Sequence, residues 1–235
     1  MCAHRRKLVV HVPHASTYIP EDVWPEFLMA RQQIEDEAFA SADLYTDLMA
    51  QQAWPVADIV AAAVSRIVVD VERYDDDLQE EMAQVGRGAI YTHDHRLVRI
   101  RKDLPQSRRA ELLAAYYAPH WSRLRKVAQG ATLIDLHTYP KEPWPIERHA
   151  GSARPEIDIG FTDGLTSAEW VNAITMHFSA AGYEVGHNSP YSDVIDAGAR
   201  QAVMIEIRRD VVGTPGDDPK WLRLISALKT MPIHY

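Results

Sequence analysis

The sequence predicts an α/β fold, a mostly parallel central sheet flanked by helices, and three observations carry that prediction. Apolar runs rich in β-branched residues alternate with segments of helical character. The runs are continuous rather than alternating, as strands covered on both faces require. Each run ends in a cluster of polar side chains. No repeat, low-complexity tract or linker interrupts the pattern, so one domain is expected across residues 1–235.

The elements follow in order. "KLVVHV" reads as the first strand, stopped near His14 because Pro13 cannot donate to a sheet ladder. Ile34 to Ala50 reads as a helix. "RIVVDV" (66–71) is the second predicted strand. A helix over 106–130 closes on Gly130, and "ATLIDLH" (131–137) is the third strand. The segment 166–182 opens on a serine or threonine cap and ends on Gly182. "YEVGHN" (183–188) and "QAVMIEIR" (201–208) complete the predicted sheet, and "DPKWLRLISALKTM" is the last helix.

Bulk properties narrow the partners. A net charge of −8 argues against a general nucleic-acid binder, which needs a basic face, but leaves room for local arginine pockets. The single cysteine, Cys2, permits neither a disulfide framework nor a cysteine-rich zinc site. Its scarcity fits the reducing cytoplasm. The apolar run after the basic "MCAHRRK" is too short and broken for a signal peptide, and no stretch approaches the roughly 20 apolar residues of a membrane span. Oligomeric state is not legible.

The polar clusters carry the chemistry. His14 follows the first strand, "DVERYDDD" the second, "DLHTYP" the third, "GHNSPYSD" the fourth, and "EIRR" closes the fifth. Ligands of open α/β sheets bind outside the carboxyl ends of the strands. Asp135 and His137 stand at i and i+2, so both point to one face. A carboxylate beside an imidazole can fix the tautomer of a ligating histidine, and zinc accepts imidazole and carboxylate ligands while leaving a position for water. Asp43 and Asp47 share a helix face, either as a source of a third ligand or as an ordinary solvated surface.

Taken together and in order, "VPHAS", "DLYTD", "SRIVVDVERYDDD", "GRGAIYT", "IDLHTYP", "RPEIDIG", "GHNSPYSD" and "MIEIRR" resemble the N-formylglutamate amidohydrolase family, which is similar in fold and mechanism to the zinc carboxypeptidases and aspartoacylases. The resemblance implies His14, Asp43 and His137 as ligands of one Zn2+ per chain. It implies Glu206 as the acidic group beside the attacking water, Arg66 as the group polarising the scissile carbonyl, and Arg73 as the holder of a substrate carboxylate. Two departures stand out: "VER" replaces a motif with asparagine before the arginine, and "PYSD" lacks a usual glycine.

The expected reaction is hydrolysis of the amide of an N-acyl amino acid, with N-formyl-L-glutamate as the leading substrate. Another N-acyl amino acid or small peptide, and a catalytically silent binder of an anionic metabolite, are the alternatives. His187 and Asn188, after the fourth predicted strand, are candidate pocket-lining residues for the small carboxylate substrate.

Overall fold

The computed structural model describes residues 7–147 and 151–233, and Cys2 lies outside them. β1 (Leu8–Val12) pairs in parallel with β2 (Asp58–Ala61) on one side and with β3 (Thr132–Tyr139) on the other. β3 is joined in parallel by β6 (Gln201–Arg208). β4 (Ile157–Gly160) runs antiparallel to β6, and β5 (Val185–His187) runs parallel to β4. The sheet order is β2-β1-β3-β6-β4-β5, the mostly parallel sheet that the sequence predicts.

Helices cover both faces. α1 (Arg31–Ser41) and α2 (Thr46–Ala53) follow β1. α3 (Gln106–Leu112), a π-helical turn over Leu113–Tyr117 and α4 (Ala118–Ala128) follow one another without a break. α5 (Ala168–Ala180) is capped by Ser167, whose side chain accepts from Trp170 N, and α6 (Pro219–Thr230) by Asp218, which accepts from Lys220 N. α5 ends just before Gly182, whose φ of 83° is left-handed and cheap only for glycine. α2, α5 and α6 pack Met49, Trp170, Phe178, Trp221 and Leu224 against Val10, Ile134 and Val203 on one sheet face. α4 packs Leu124 and Ala128 against Val9, Leu133 and Ala202 on the other.

The sheet register builds the site. His11 pairs with Asp135 and Asp135 with Met204; one pleat further on, His137 pairs with Glu206 and Glu206 with Asp158. Side chains alternate between faces with period two, so Val9, His11, Leu133, Asp135, His137, Met204 and Glu206 share the α4 face. The apolar core on that face gives out beyond Met204, and ionisable groups take its place. The loop after β5 can lie close over this row because Gly160 has no side chain: a Cβ there would come within 2.3 Å of Met204 Cε and 2.6 Å of Asp193 O.

Three expectations need correction. "RIVVDV" is not a strand. Ile67, Val68, Val69 and Val71 are buried, but in a separate apolar cluster beside the sheet, and Val68 N and Val69 N turn back to Ser65 O. The carbonyls of Ile67 and Val68 are satisfied by Nη1 of the fully buried Arg101, at 3.2 and 3.1 Å, in place of a neighbouring strand. The strand beside β1 is β2, and β4 lies within "RPEIDIG". The helix expected over Ile34 to Ala50 breaks at Ala42–Tyr45, where Tyr45 has φ 69°. That break turns Asp43 inward, with its backbone N–H donating to His14 O at 2.8 Å.

Candidate metal centre and active site

His14, Asp43 and His137 are each almost fully buried and converge beyond the ends of β1 and β3. Oδ2 of Asp43 stands 3.4 Å from His14 Nδ1 and 3.2 Å from His137 Nδ1. The opposite edges of both rings are anchored. His14 Nε2 donates to Asp70 Oδ1 at 2.9 Å, and His137 Nε2 donates to Asp135 Oδ1 at 3.0 Å. With Nε2 of each ring committed to a carboxylate, Nδ1 is the atom left to ligate a metal. His14 Nδ1 is accordingly a buried nitrogen without a hydrogen-bond partner. Ligand atoms at the usual 2.0–2.1 Å from a tetrahedral zinc stand roughly 3.3 Å apart, close to the two separations between Asp43 Oδ2 and the imidazole nitrogens.

Asp43 is itself held from behind. Arg209 Nη2 donates to its Oδ1 at 3.2 Å, and Nη1 donates to Ala40 O at 2.6 Å. Asp70 is gripped by Arg66 through Nε and Nη2 at 3.1 and 2.8 Å and by the Tyr91 hydroxyl at 2.6 Å. Behind Asp135, His11 stands 2.8 Å from Oδ1 through Nδ1 and 2.8 Å from His120 through Nε2. Burial, with His11 and His14 nearby, pushes His120 down to about 3.

The electrostatics favour a cation. Burial opposes ionisation of Asp43, yet the His137 and His14 imidazoles facing it hold it well below the usual carboxylate range. Asp70 is likewise low despite its burial, because Arg66 and His14 face it. Burial pulls His137 down, but Glu72 and Asp135 outweigh it and raise the imidazole well above its ordinary value. A cage that draws a proton onto a buried imidazole also attracts a metal ion. Glu72, absent from the sequence-predicted ligands, is a competing donor: its carboxylate lies 3.2 Å from His137 Nε2 and 3.5 Å from His14 Nε2. His14, Glu72 and His137 can indeed offer donor atoms all within 4.8 Å of one another. Those Nε2 atoms, however, are already engaged by Asp135 and Asp70.

The cluster forms the floor of a cleft of about 1310 Å³, walled by Arg66, Arg73, Arg87, Trp144, Tyr191 and Glu206 among others. The N-formylglutamate amidohydrolase family profile matches residues 6–212. The chain belongs to that family. The crystal structure of N-formylglutamate amidohydrolase from Ralstonia eutropha superposes with a TM-score of 0.79 at 21% identity, covering 96% of this chain and 91% of that one. A gene product of Agrobacterium tumefaciens superposes with a TM-score of 0.73 at 18% identity, covering 97% and 89%. At these identities the two structures establish the fold. No curated protein matches the chain. Family membership makes the protein a hydrolase acting on amides.

In this member of the family Glu206 projects into the cleft from β6 beside His137. It is buried, its Oε2 has no hydrogen-bond partner, and burial, with Asp43 and Glu72 near, pushes its carboxyl up to about 8 against the pull of His137. Arg66 and Arg73 line the cleft as the motif implies. His187 and Asn188 do not. β5 runs against the direction of β1, β3 and β6, so its carboxyl end leaves on the other edge of the sheet. His187 is exposed and meets Thr175 Oγ1 on α5 at 2.8 Å. Asn188 accepts from Phe161 N at 2.9 Å and donates to Phe161 O at 3.2 Å, a local clamp. The loop that follows returns to the cleft with Tyr191 and Asp193. Asp70, Glu72, Tyr91 and Arg209 all lie within the family motifs, but nothing in their spacing marks them as neighbours of the two histidines.

Asp158, opposite Glu206 in the register, is a second buried carboxyl. Ser189 N donates to Oδ2 at 2.9 Å, Oδ1 has no partner, and burial pushes the group up to about 7. A folded-state value above the unfolded 3.8 means that stability is lost as pH rises from about 4 to about 7. Asp158→Asn removes that titration. In metal-free protein the variant is expected to gain on wild type by a few kcal/mol between pH 4 and 8, since each tenfold difference in proton affinity between folded and unfolded chain is worth about 1.4 kcal/mol. Urea midpoints at the two pH values check this; a pH-independent difference refutes it.

Proposed function

We propose that the protein is a zinc-dependent amidohydrolase that cleaves N-formyl-L-glutamate to glutamate and formate. The observation that supports this best is the convergence of His14 Nδ1, His137 Nδ1 and Asp43 Oδ2 beside a buried, partnerless Glu206 carboxyl in an arginine-lined cleft. His14, Asp43 and His137 would hold the metal, with Asp70 and Asp135 orienting the two imidazoles. Asp43 is favoured over Glu72 because the orphaned nitrogen, His14 Nδ1, faces Asp43. A metal held there supplies Lewis acidity to the scissile carbonyl and to a water.

The chain's own groups then divide the work. Glu206 accepts the proton of the attacking water and delivers it to the departing amide nitrogen. A carboxyl whose affinity for protons is raised by burial suits both transfers. Arg66, locked onto Asp70 and Tyr91, offers a fixed positive charge to the developing oxyanion and needs no reorganisation to do so. Arg73 holds a substrate carboxylate through a planar fork that lysine reproduces poorly. The partner is therefore a small anionic molecule.

The cleft, at about 1310 Å³, exceeds the usual 300–1,000 Å³ of small-molecule sites. An acyl group larger than formyl also fits, which keeps another N-acyl amino acid as the second reading. Zinc-loaded protein is expected to release free amine from N-formyl-L-glutamate faster than from the N-acetyl and longer N-acyl analogues, and metal removal by a chelator is expected to abolish turnover. A faster longer-chain substrate supports the second reading. Full activity after complete metal removal defeats both.

A further inference from the structure

Among the described residues, two buried guanidinium nitrogens have no hydrogen-bond partner, Nε of Arg73 and Nη1 of Arg87, and both side chains line the cleft. Arg87 is 4% exposed, and nothing in the metal centre uses it. Its guanidinium lies 4.3 Å over the Tyr91 ring, the same ring that Arg66 faces at 5.9 Å. Nη2 is spent on Ser41 Oγ at 3.0 Å. Nη1 approaches Glu37 Oε1 only to 3.9 Å, too far for a hydrogen bond. Glu37 is otherwise occupied, accepting from Ser41 Oγ at 2.7 Å and meeting His95 Nδ1 at 2.6 Å. A buried cationic donor left short of an acceptor is costly unless a ligand completes it.

We propose that Arg87 forms a second anion subsite, which takes the side-chain carboxylate of an acidic N-acyl amino acid while Arg73 takes its α-carboxylate. The proposal rests on the reading of the cleft as an N-acyl amino acid site and narrows it to dicarboxylate substrates. Each guanidinium has one buried nitrogen without a hydrogen-bond partner, and the shared Tyr91 ring keeps Arg87 near the Arg66 and Asp70 end of the cleft. One guanidinium would serve any amino acid; two with open donors select glutamate or aspartate. The Arg87 guanidinium, buried and held over the Tyr91 ring and by Ser41, has little side-chain freedom left to lose on binding.

Two measurements on the metal-loaded protein test this. The first compares binding of glutarate, a dicarboxylate, with butyrate, a monocarboxylate of similar length, by calorimetry. The second compares kcat/KM for N-formyl-L-glutamate and N-formyl-L-glutamine. Wild type is expected to favour the dicarboxylate in each by about ten- to a hundred-and-fifty-fold, the scale of one charge-assisted hydrogen bond. Arg87→Gln should bring both ratios to within about threefold with metal content unchanged, and Arg87→Lys, which keeps charge but loses the fork, should fall between. If the glutamine variant does not fold, the lysine variant decides: a preference clearly below wild type upholds the subsite, and an undiminished one overturns it. Undiminished ratios in a folded variant overturn the subsite while leaving amide hydrolysis standing. Conversely, glutarate binding that depends on Arg87 in a protein with no deformylase turnover upholds the subsite and defeats the proposed reaction.

Discussion

Glu206→Gln is expected to reduce kcat by about a hundred- to ten-thousand-fold while metal content and fold remain those of wild type. The amide matches the carboxyl in shape but cannot take up a proton. The site is prepared for the swap: Glu206 already carries an oxygen without a hydrogen-bond partner, so no network is broken by it. The buried carboxyl is pushed up to about 8 in the metal-free protein, which also makes the neutral amide a close mimic of its protonated form. Steady-state kinetics with parallel metal analysis provide the check. A loss of only a few fold would move the proton acceptor to Glu72, which touches both imidazoles.

Asp43→Asn and His137→Ala are both expected to reduce bound metal from about one per chain to a small fraction, and turnover with it. Glu72→Gln is expected to keep the metal. Asp70→Asn, which removes the anchor from His14 Nε2, should weaken metal affinity by about ten- to a hundred-fold without changing stoichiometry at saturation. Asparagine is preferred to alanine at position 43 because it can still accept from Arg209, whose guanidinium reaches Oδ1. Metal analysis after dialysis, with thermal melts to confirm folding, reads the result. Full metal in Asp43→Asn and none in Glu72→Gln would reassign the third ligand to Glu72.

Local sequence determined a good deal. Burial on both faces is written in the β-branched runs of β1, β3 and β6, and the i, i+2 spacing of Asp135 and His137 already puts them on one side. The family resemblance carried by the ordered motifs, not local pattern, brought His14, Asp43, His137 and Glu206 into a single candidate set, and these four do stand together in the structure. Direction and partnership were not legible. The run "RIVVDV" has the composition of a buried strand because it is buried; only Arg101, 33 and 34 residues away, reveals that its carbonyls are satisfied by a side chain instead of a ladder. Chain direction across a sheet leaves no mark in the local pattern, so the reversal of β4 and β5 removed His187 and Asn188 from the cleft and set Asp158 opposite Glu206. Asp70, Glu72 and Arg87 acquire their roles only from what long-range packing brings beside them. Periodicity records which face of an element is covered; what covers it is decided by contacts between residues far apart in the chain.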